Sequence, residues 1–395
     1  VTLTVAVAVL VAIAYLVASA IVPFAPASAE KTTYAAPTAT VPALTFPDYG
    51  ATAVQAQGFP GSLTTSGDAK PRSIASISKI VTALVVLQKE PLTTTSDGPT
   101  ITFGAAQSAL YAQYLAEDGE VAAMPVGLQL SEKQAFQVML LKSANNYAGA
   151  LALWAFGSMG AYESAAAAWL KSNGLDHTTI VEPTGLNAAN QSTATDLVHL
   201  GALALANPVV KQIVGTKTAT IPTVGQVTNS NALLGIDGVD GIKTGTLDQA
   251  GACLLFAATY RRGGQDVTVI GAMLGGTDHD SLDADVQKLL HSVADNFHVV
   301  TLTNKGQTFG EYTTPWQDRT DAVAGAARSV LVWGRTTVTA RTKLASVTFG
   351  HRGKRVGSVR FTITGHGPVT VPLVLERSIE NPGIWWKWTN PFKGA

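Results

Sequence analysis

Ser76 and Lys79 stand at i and i+3 in the stretch ASISKIVTALVVL, Ala75–Leu87. On a helix that spacing brings a hydroxyl and an amine onto one face, within reach of each other. Eight uncharged and mostly apolar residues follow Lys79. A helix apolar on nearly every side is a buried one. Burial strips a lysine of water and favours its neutral amine. A neutral amine beside a hydroxyl can take its proton, which makes Ser76 a candidate nucleophile and Lys79 its candidate base. Alone the pair is weak, because a chain of this length holds roughly one S-x-x-K by chance. A helix-capping serine with a snorkelling lysine would explain it equally well.

Two further groups follow. Sixty-seven residues after Ser76 comes MLLKSANNYAGALAL, with Ser143-Ala144-Asn145 between two helical stretches. A hydroxyl and an amide two apart, in a break between helices, can both point into one cleft. One hundred residues after Ser143 comes GVDGIKTGTLDQAGA, in which Lys243-Thr244-Gly245-Thr246 opens a strand. Gly245 removes a side chain where another backbone or a ligand comes close. Lys243 and the two threonines offer positive charge and donors suited to a carboxylate.

Taken together, in this order and at these separations, the three groups resemble the penicillin-binding, serine β-lactamase-like superfamily, whose marks are S-x-x-K, S-x-N and K-T-G. More narrowly the chain resembles the low-molecular-mass serine D-alanyl-D-alanine carboxypeptidases. The flanks VEPTGLNAANQSTATDLVHLGALAL and TNSNALLGIDGVDGIKTGT and the tail PGIWWKWTNP carry the same likeness, which runs from about residue 48 to the end. The resemblance implies that Ser76 attacks the penultimate D-alanine carbonyl of a peptidoglycan pentapeptide, with Lys79 as base. Ser143 would relay a proton to the leaving amine, and Asn145 would bind the substrate backbone. Lys243 would supply electrostatics and help hold Ser143, while Thr244, Gly245 and Thr246 bind the substrate and its carboxylate. The N–H groups of Ser76 and Thr246 would form the oxyanion hole. β-Lactams would inhibit covalently, and no metal or cofactor is implied.

One departure from the family pattern concerns an arginine that assists carboxylate recognition in many of these enzymes. LGGTDHDSLDADVQKLL has none, and Leu282 stands in its place. Carboxypeptidase against endopeptidase preference is left open by that change.

The elements that must position these groups follow from patterning. YGATAVQAQG and GSLTTSGD read as a strand pair, followed by the Lys79 helix and a largely helical, alanine-rich stretch from about Phe103 to Ala206. From Gly241 strands return, with Gly263-Gly264 as a hairpin turn, and DSLDADVQKLLHSVADNF closes the part as a helix. That order predicts an α+β catalytic domain over 48–300: an antiparallel sheet flanked by helices, with a helical insertion. Past 300, short alternating runs such as SVLVWG, ASVTFG and SVRFTI predict a small all-β domain over 301–395. Its tryptophan-rich tail is expected to pack against that domain rather than line a membrane surface.

Residues 1–24 carry no charge, long enough for a membrane span of about 20 residues. Residues 1–29 read as a membrane anchor, with a cleaved signal peptide ending at the ASA of Ala27–Ala29 as the alternative. Residues 30–47, rich in Thr, Ala and Pro, read as an extended spacer. Either reading places the remainder outside the cytoplasm.

The chain of 395 residues is electrically balanced, with 27 basic and 27 acidic residues, which argues against a nucleic-acid surface. Its single cysteine, Cys253, excludes a disulfide framework and reads as a core residue. Two rivals stand beside the carboxypeptidase reading: a β-lactamase, and a non-catalytic wall-binding protein of the same fold. Some β-lactamases activate the deacylating water with a Glu followed by Asn four residues on. Here Asn187 follows Glu182 by five, through the turn formers Pro183 and Gly185. Glu182 is therefore expected to be a loop residue without a role in water activation, and Glu182→Gln to leave the lifetime of the penicilloyl-enzyme and D-alanine release within a few-fold.

Overall fold

A computed structural model describes residues 2–38 and 41–390. The chain divides into two units, Pro42–Phe297 and the pairing of Val1–Val41 with His298–Ala395.

The first unit is built on a five-stranded antiparallel sheet. Its strands run in the order Val239–Leu247, Gly251–Arg262, Gln265–Gly276, Ala51–Ala56, Thr64–Gly67. The three central strands are almost wholly buried, which is why they read as continuous apolar runs. Gly263 and Gly264 both take positive φ and close the expected hairpin. The closing helix, His279–Asp295, buries Leu282, Val286, Leu289, Leu290 and Val293 along one stripe.

The helical insertion fills the interval between the second and third strands in sequence. Glu132–Leu141 starts with a capping box, Ser131 accepting from the Gln134 N–H while the Gln134 side chain accepts from the Ser131 N–H. It ends just before Ser143, whose φ of 63° breaks the chain ahead of the helix Asn145–Phe156. The central helix, Ser78–Lys89, is buried from Ser78 through Leu87. A short 3₁₀ turn, Ala75–Ile77, carries Ser76 into it. The α+β architecture expected from the sequence is the one found.

The second unit has a six-stranded sheet. Five of its strands come from the C-terminal region: Thr308–Thr313, Arg319–Ala324, His366–Leu375, Arg355–Ile363 and Val338–Leu344. Val359, Phe361, Ile363, Val371 and Leu373 are buried, as their alternation predicts. ASVTFG departs from expectation: residues 345–349 form a loop, although Val347 is buried.

The sixth strand is Ser28–Lys31, inside the stretch read as anchor and spacer. It pairs with Thr308–Thr313, from Ser28 opposite Thr313 to Lys31 opposite Gly310. Ala27 is buried beside it, and Tyr34 stacks on Phe309 while donating to the Leu302 carbonyl at 3.0 Å. The physical reason for the difference is a free sheet edge, which an extended polar segment can pair with. Upstream, Thr2–Ile21 is an uncharged helix, with 19 residues from Leu3 apolar enough to cross a membrane and none of them buried. The tail forms a short helix, Ile384–Thr389. Trp386 packs with Phe24 and Trp316 as expected, whereas Trp385 is 71% exposed.

Candidate active site

The Ser76 hydroxyl and the Lys79 amine meet as their spacing requires, with Nζ 2.7 Å from Oγ. Ser76 is half-buried and Lys79 is fully buried. Lys79 Nζ has two further neighbours, Asn145 Oδ1 at 2.5 Å and the Thr184 carbonyl at 2.7 Å. Both of those can only accept. A neutral amine has two N–H donors and one lone pair. Two donors serve Asn145 and Thr184, and the lone pair is left facing the Ser76 O–H. Burial pushes the Lys79 amine well below the ordinary lysine range, and the positive charge of Lys243 pushes the same way.

The Thr184 carbonyl belongs to a loop, Glu182–Asn190, that the sequence marked only as a turn. Two side chains of the nucleophile helix, three residues apart, hold consecutive carbonyls of it. Lys79 donates to Thr184, and Thr82 Oγ1 donates to Pro183 at 2.8 Å. Glu182 organises the loop from within. Its carboxylate accepts from the N–H groups of Thr184 at 2.7 Å and Gly185 at 2.6 Å, from Asn190 Nδ2 at 3.0 Å, and from the Asn187 N–H at 3.4 Å. Gly185 takes φ 89°, and a Cβ there would lie 1.9 Å from the Ala75 carbonyl oxygen. Only glycine lets this loop rest on the turn that carries the nucleophile.

The Lys243 strand closes the other side. A Cβ on Gly245 would lie 2.9 Å from the Ile74 oxygen and 3.3 Å from the Ser76 nitrogen. The bare strand thus runs directly beside the nucleophile turn. Lys243 is fully buried, and its amine is pushed down to about 7 by that burial. It donates to the Thr244 carbonyl at 3.1 Å, to Thr244 Oγ1 at 3.3 Å and to Ser230 Oγ at 3.4 Å. Ser230 Oγ lies 2.5 Å from Thr244 Oγ1, and its N–H donates to the Leu141 carbonyl. Of the two serines, it is therefore Ser230 and not Ser143 whose hydroxyl Lys243 touches. The Ser143 hydroxyl has no side-chain partner among the described residues.

Asn145 begins its helix with its N–H on the Glu120 carbonyl, and it presents its side chain to Lys79. Thr246 lies exposed at the end of the strand motif, with Oγ1 2.8 Å from His279 Nε2. Leu282 is wholly buried, against the position a Cβ would take on Gly276, and takes no part in the cleft. Among the described residues no group of three or more His, Cys, Asp or Glu could hold a metal ion.

Sequence reasoning singled out Ser76, Lys79, Ser143, Asn145 and the Lys243–Thr246 run. It missed Thr184, which acts through its backbone and carries no side-chain signal. It also missed Ser230 and His279, whose partners lie 14 and 33 residues away. The loop role of Glu182 agrees with expectation, but the number of N–H groups on its carboxylate was not legible.

Comparison with known proteins bears on the whole arrangement. A D-alanyl-D-alanine carboxypeptidase of Streptomyces sp. strain K15 is 32% identical over 243 residues, 56% of this chain and 78% of that protein. A D-alanyl-D-alanine endopeptidase of Pseudomonas aeruginosa is 29% identical over 207 residues, 50% of this chain and 63% of its own length. The crystal structure of penicillin-binding protein 5 from Haemophilus influenzae covers 87% of this chain and 100% of its own, with a TM-score of 0.59 and 20% identity, a likeness of fold. Residues 61–276, which include the Ser76, Ser143 and Lys243 groups, match the family model of the D-alanyl-D-alanine carboxypeptidases, peptidase family S11, and the chain belongs to that family.

Proposed function

We propose that this protein is a serine-type D-Ala-D-Ala carboxypeptidase acting on peptidoglycan stem peptides outside the cytoplasm. The observation that carries the reading is the buried Lys79 amine, 2.7 Å from Ser76 Oγ, with its other two contacts made to obligate acceptors. Lys79 takes the Ser76 proton as Oγ attacks the penultimate D-alanine carbonyl carbon. The tetrahedral oxyanion is received by the N–H groups of Ser76 and Thr246, where the strand bared by Gly245 meets the nucleophile turn. The C–N bond breaks, and the leaving D-alanine amine takes a proton from Lys79 through the Ser143 hydroxyl, which no side chain among the described residues engages. Asn145 orients the substrate backbone. Lys243 holds Thr244 and keeps positive potential beside the terminal carboxylate. Water then hydrolyses the ester, releasing the shortened peptide and returning the proton to Ser76. A β-lactam enters the same acylation and stays bound as the ester.

A β-lactamase of the glutamate-activated kind needs a free carboxylate beside the ester, and the Glu182 oxygens are occupied by loop N–H groups. A non-catalytic wall binder has no use for a desolvated lysine against a serine. The membrane reading is the anchor: residues 27–34 are built into the second unit, so a cut at Ala27–Ala29 would divide one of its strands. The compact units divide near 42 and 297, beside the 48 and 300 expected from the sequence.

The test is D-alanine release from a pentapeptide ending in D-Ala-D-Ala, alongside intact mass after incubation with benzylpenicillin. Release together with a single penicilloyl adduct, both lost in Ser76→Ala, is the expected result. Full labelling of Ser76→Ala would overturn the nucleophile assignment. An adduct with no D-alanine release, but cleavage of crosslinked dimers, would make the protein an endopeptidase.

A further inference from the structure

The helix His279–Asp295 starts beside the exposed end of the Lys243–Thr246 run. Leu282 is buried in the core, so the residue standing where the family often has its arginine cannot meet the substrate. His279 lies three residues earlier, on the same helical face. It is half-buried, and its Nε2 is 2.8 Å from Thr246 Oγ1.

A threonine hydroxyl has one proton and two lone pairs, and its proton turns to suit its partners. If Thr246 donates to Nε2, it presents only lone pairs to the cleft, and these repel a carboxylate. If Nε2–H donates to Thr246, the hydroxyl proton is free to face the cleft and donate to an anion. Only the second arrangement is productive for a substrate with a free C-terminus.

We propose that His279 is a positioning residue for substrate selection, in which Nε2–H donates to Thr246 Oγ1 and thereby presents the Thr246 hydroxyl proton to the terminal carboxylate. The proposal rests on the D-Ala-D-Ala reading above. Three carboxylates, Asp278, Asp280 and Asp283, lie on or beside the first turn of the same helix. Asp278 is committed to Ser281, whose N–H it accepts at 2.8 Å and whose Oγ it accepts at 3.2 Å. Lys243, on the Thr246 strand, spends its donors on Thr244 and Ser230. The Thr246 hydroxyl is thus left to His279, and an arginine-free site still has an oriented donor for a carboxylate.

The test uses the full chain and two substrates, a pentapeptide ending in D-Ala-D-Ala as the free acid and as its C-terminal amide. His279→Ala should lower the acid-to-amide ratio of kcat/KM by about tenfold, the scale of one charge-assisted hydrogen bond. The loss should fall on KM for the acid rather than on kcat. His279→Gln, which keeps an N–H near the same place, should recover part of the ratio. In a Thr246→Val background His279→Ala should have no further effect on it. A parallel fall for acid and amide, an unchanged ratio, or a full His279→Ala effect in the Thr246→Val background would overturn the proposal. If wild type cleaves the terminal D-Ala-D-Ala bond of neither peptide, releasing neither D-alanine nor D-alaninamide, the carboxypeptidase reading fails. The ratio is then read from acylation by benzylpenicillin against its methyl ester, where a tenfold fall in His279→Ala supports the positioning role and an unchanged ratio overturns it.

Discussion

Replacing Glu182 by glutamine changes one oxygen to an amide nitrogen and tests whether the loop, rather than a water molecule, is what this carboxylate serves. Its oxygens share the work unequally. Oε1 accepts from Gly185, Asn190 and Asn187, and Oε2 accepts from Thr184. The least costly placement of the new amide keeps its oxygen on the three-donor side. Its NH₂ then faces the Thr184 N–H, donor against donor. One hydrogen bond to a charged group is lost, worth about 1.5–3 kcal/mol. For a unit of this size that lowers the melting temperature by roughly 3–12 °C. The sequence alone suggested unchanged adduct lifetime and D-alanine release; the hydrogen bonds keep the first and argue for slower acylation. The damage falls on the loop whose Thr184 carbonyl holds Lys79, so acylation should slow by about tenfold if ~1.4 kcal/mol of the loss reaches that contact. Deacylation should change little, because the carboxylate oxygens are taken up by loop N–H groups. The assay is stopped-flow benzylpenicillin acylation, adduct lifetime by intact mass, and a melting curve. Normal melting with normal acylation would refute the tether. Normal acylation with a trapped adduct would instead make Glu182 a water activator and the protein a β-lactamase.

Lys79→Arg keeps the charge but cannot surrender it, since a guanidinium stays protonated at any working pH; acylation should fall by about 10²-fold or more, and near-normal labelling of a folded variant would exclude Lys79 as base. Lys243 sits at about 7 in the fold against an ordinary 10.5. Below pH 7 both states carry the proton and the fold bears the full penalty of the buried charge; between 7 and 10.5 the unfolded chain binds more protons, so stability rises with pH at about 1.4 kcal/mol per unit. Lys243→Met removes that slope, so its stability relative to wild type in urea should decline by ~2 kcal/mol from pH 7 to pH 9; parallel curves would contradict the burial argument. Gly185→Ala drives a Cβ to 1.9 Å from the Ala75 oxygen, whereas Gly157→Ala, at φ 78°, meets nothing within 4 Å. The second should cost only conformational strain of about 1–3 kcal/mol. The first should cost clearly more and abolish penicillin labelling, and equal costs would mean the loop does not rest on the nucleophile turn.

What the sequence determined by itself was local chemistry and periodicity. Ser76 and Lys79 are three residues apart, and helix geometry alone brings them together. The apolar run from Ile80 to Leu87 marks a buried helix because no face is left for water. Gly263-Gly264 marks a hairpin, and the alternation through Val359, Phe361 and Ile363 marks a half-buried strand, because backbone conformation and side-chain period are set within a few residues. Contacts that cross the chain were decided only by the tertiary structure. The Thr184 carbonyl that receives Lys79 is a backbone atom 105 residues away, present in every residue type and so invisible in a sequence. The exchange of Ser143 for Ser230 as the partner of Lys243 depends on how the Asn229–Asn231 turn is tied to the Leu141 carbonyl. Residues 28–31 read as polar extended chain, and extended chain becomes a strand only when a sheet edge is there to pair with it. His279 could be read as one more polar residue at a helix start. Its nearness to Thr246 comes from the packing that buries Leu282 one turn later and so turns the imidazole toward the cleft.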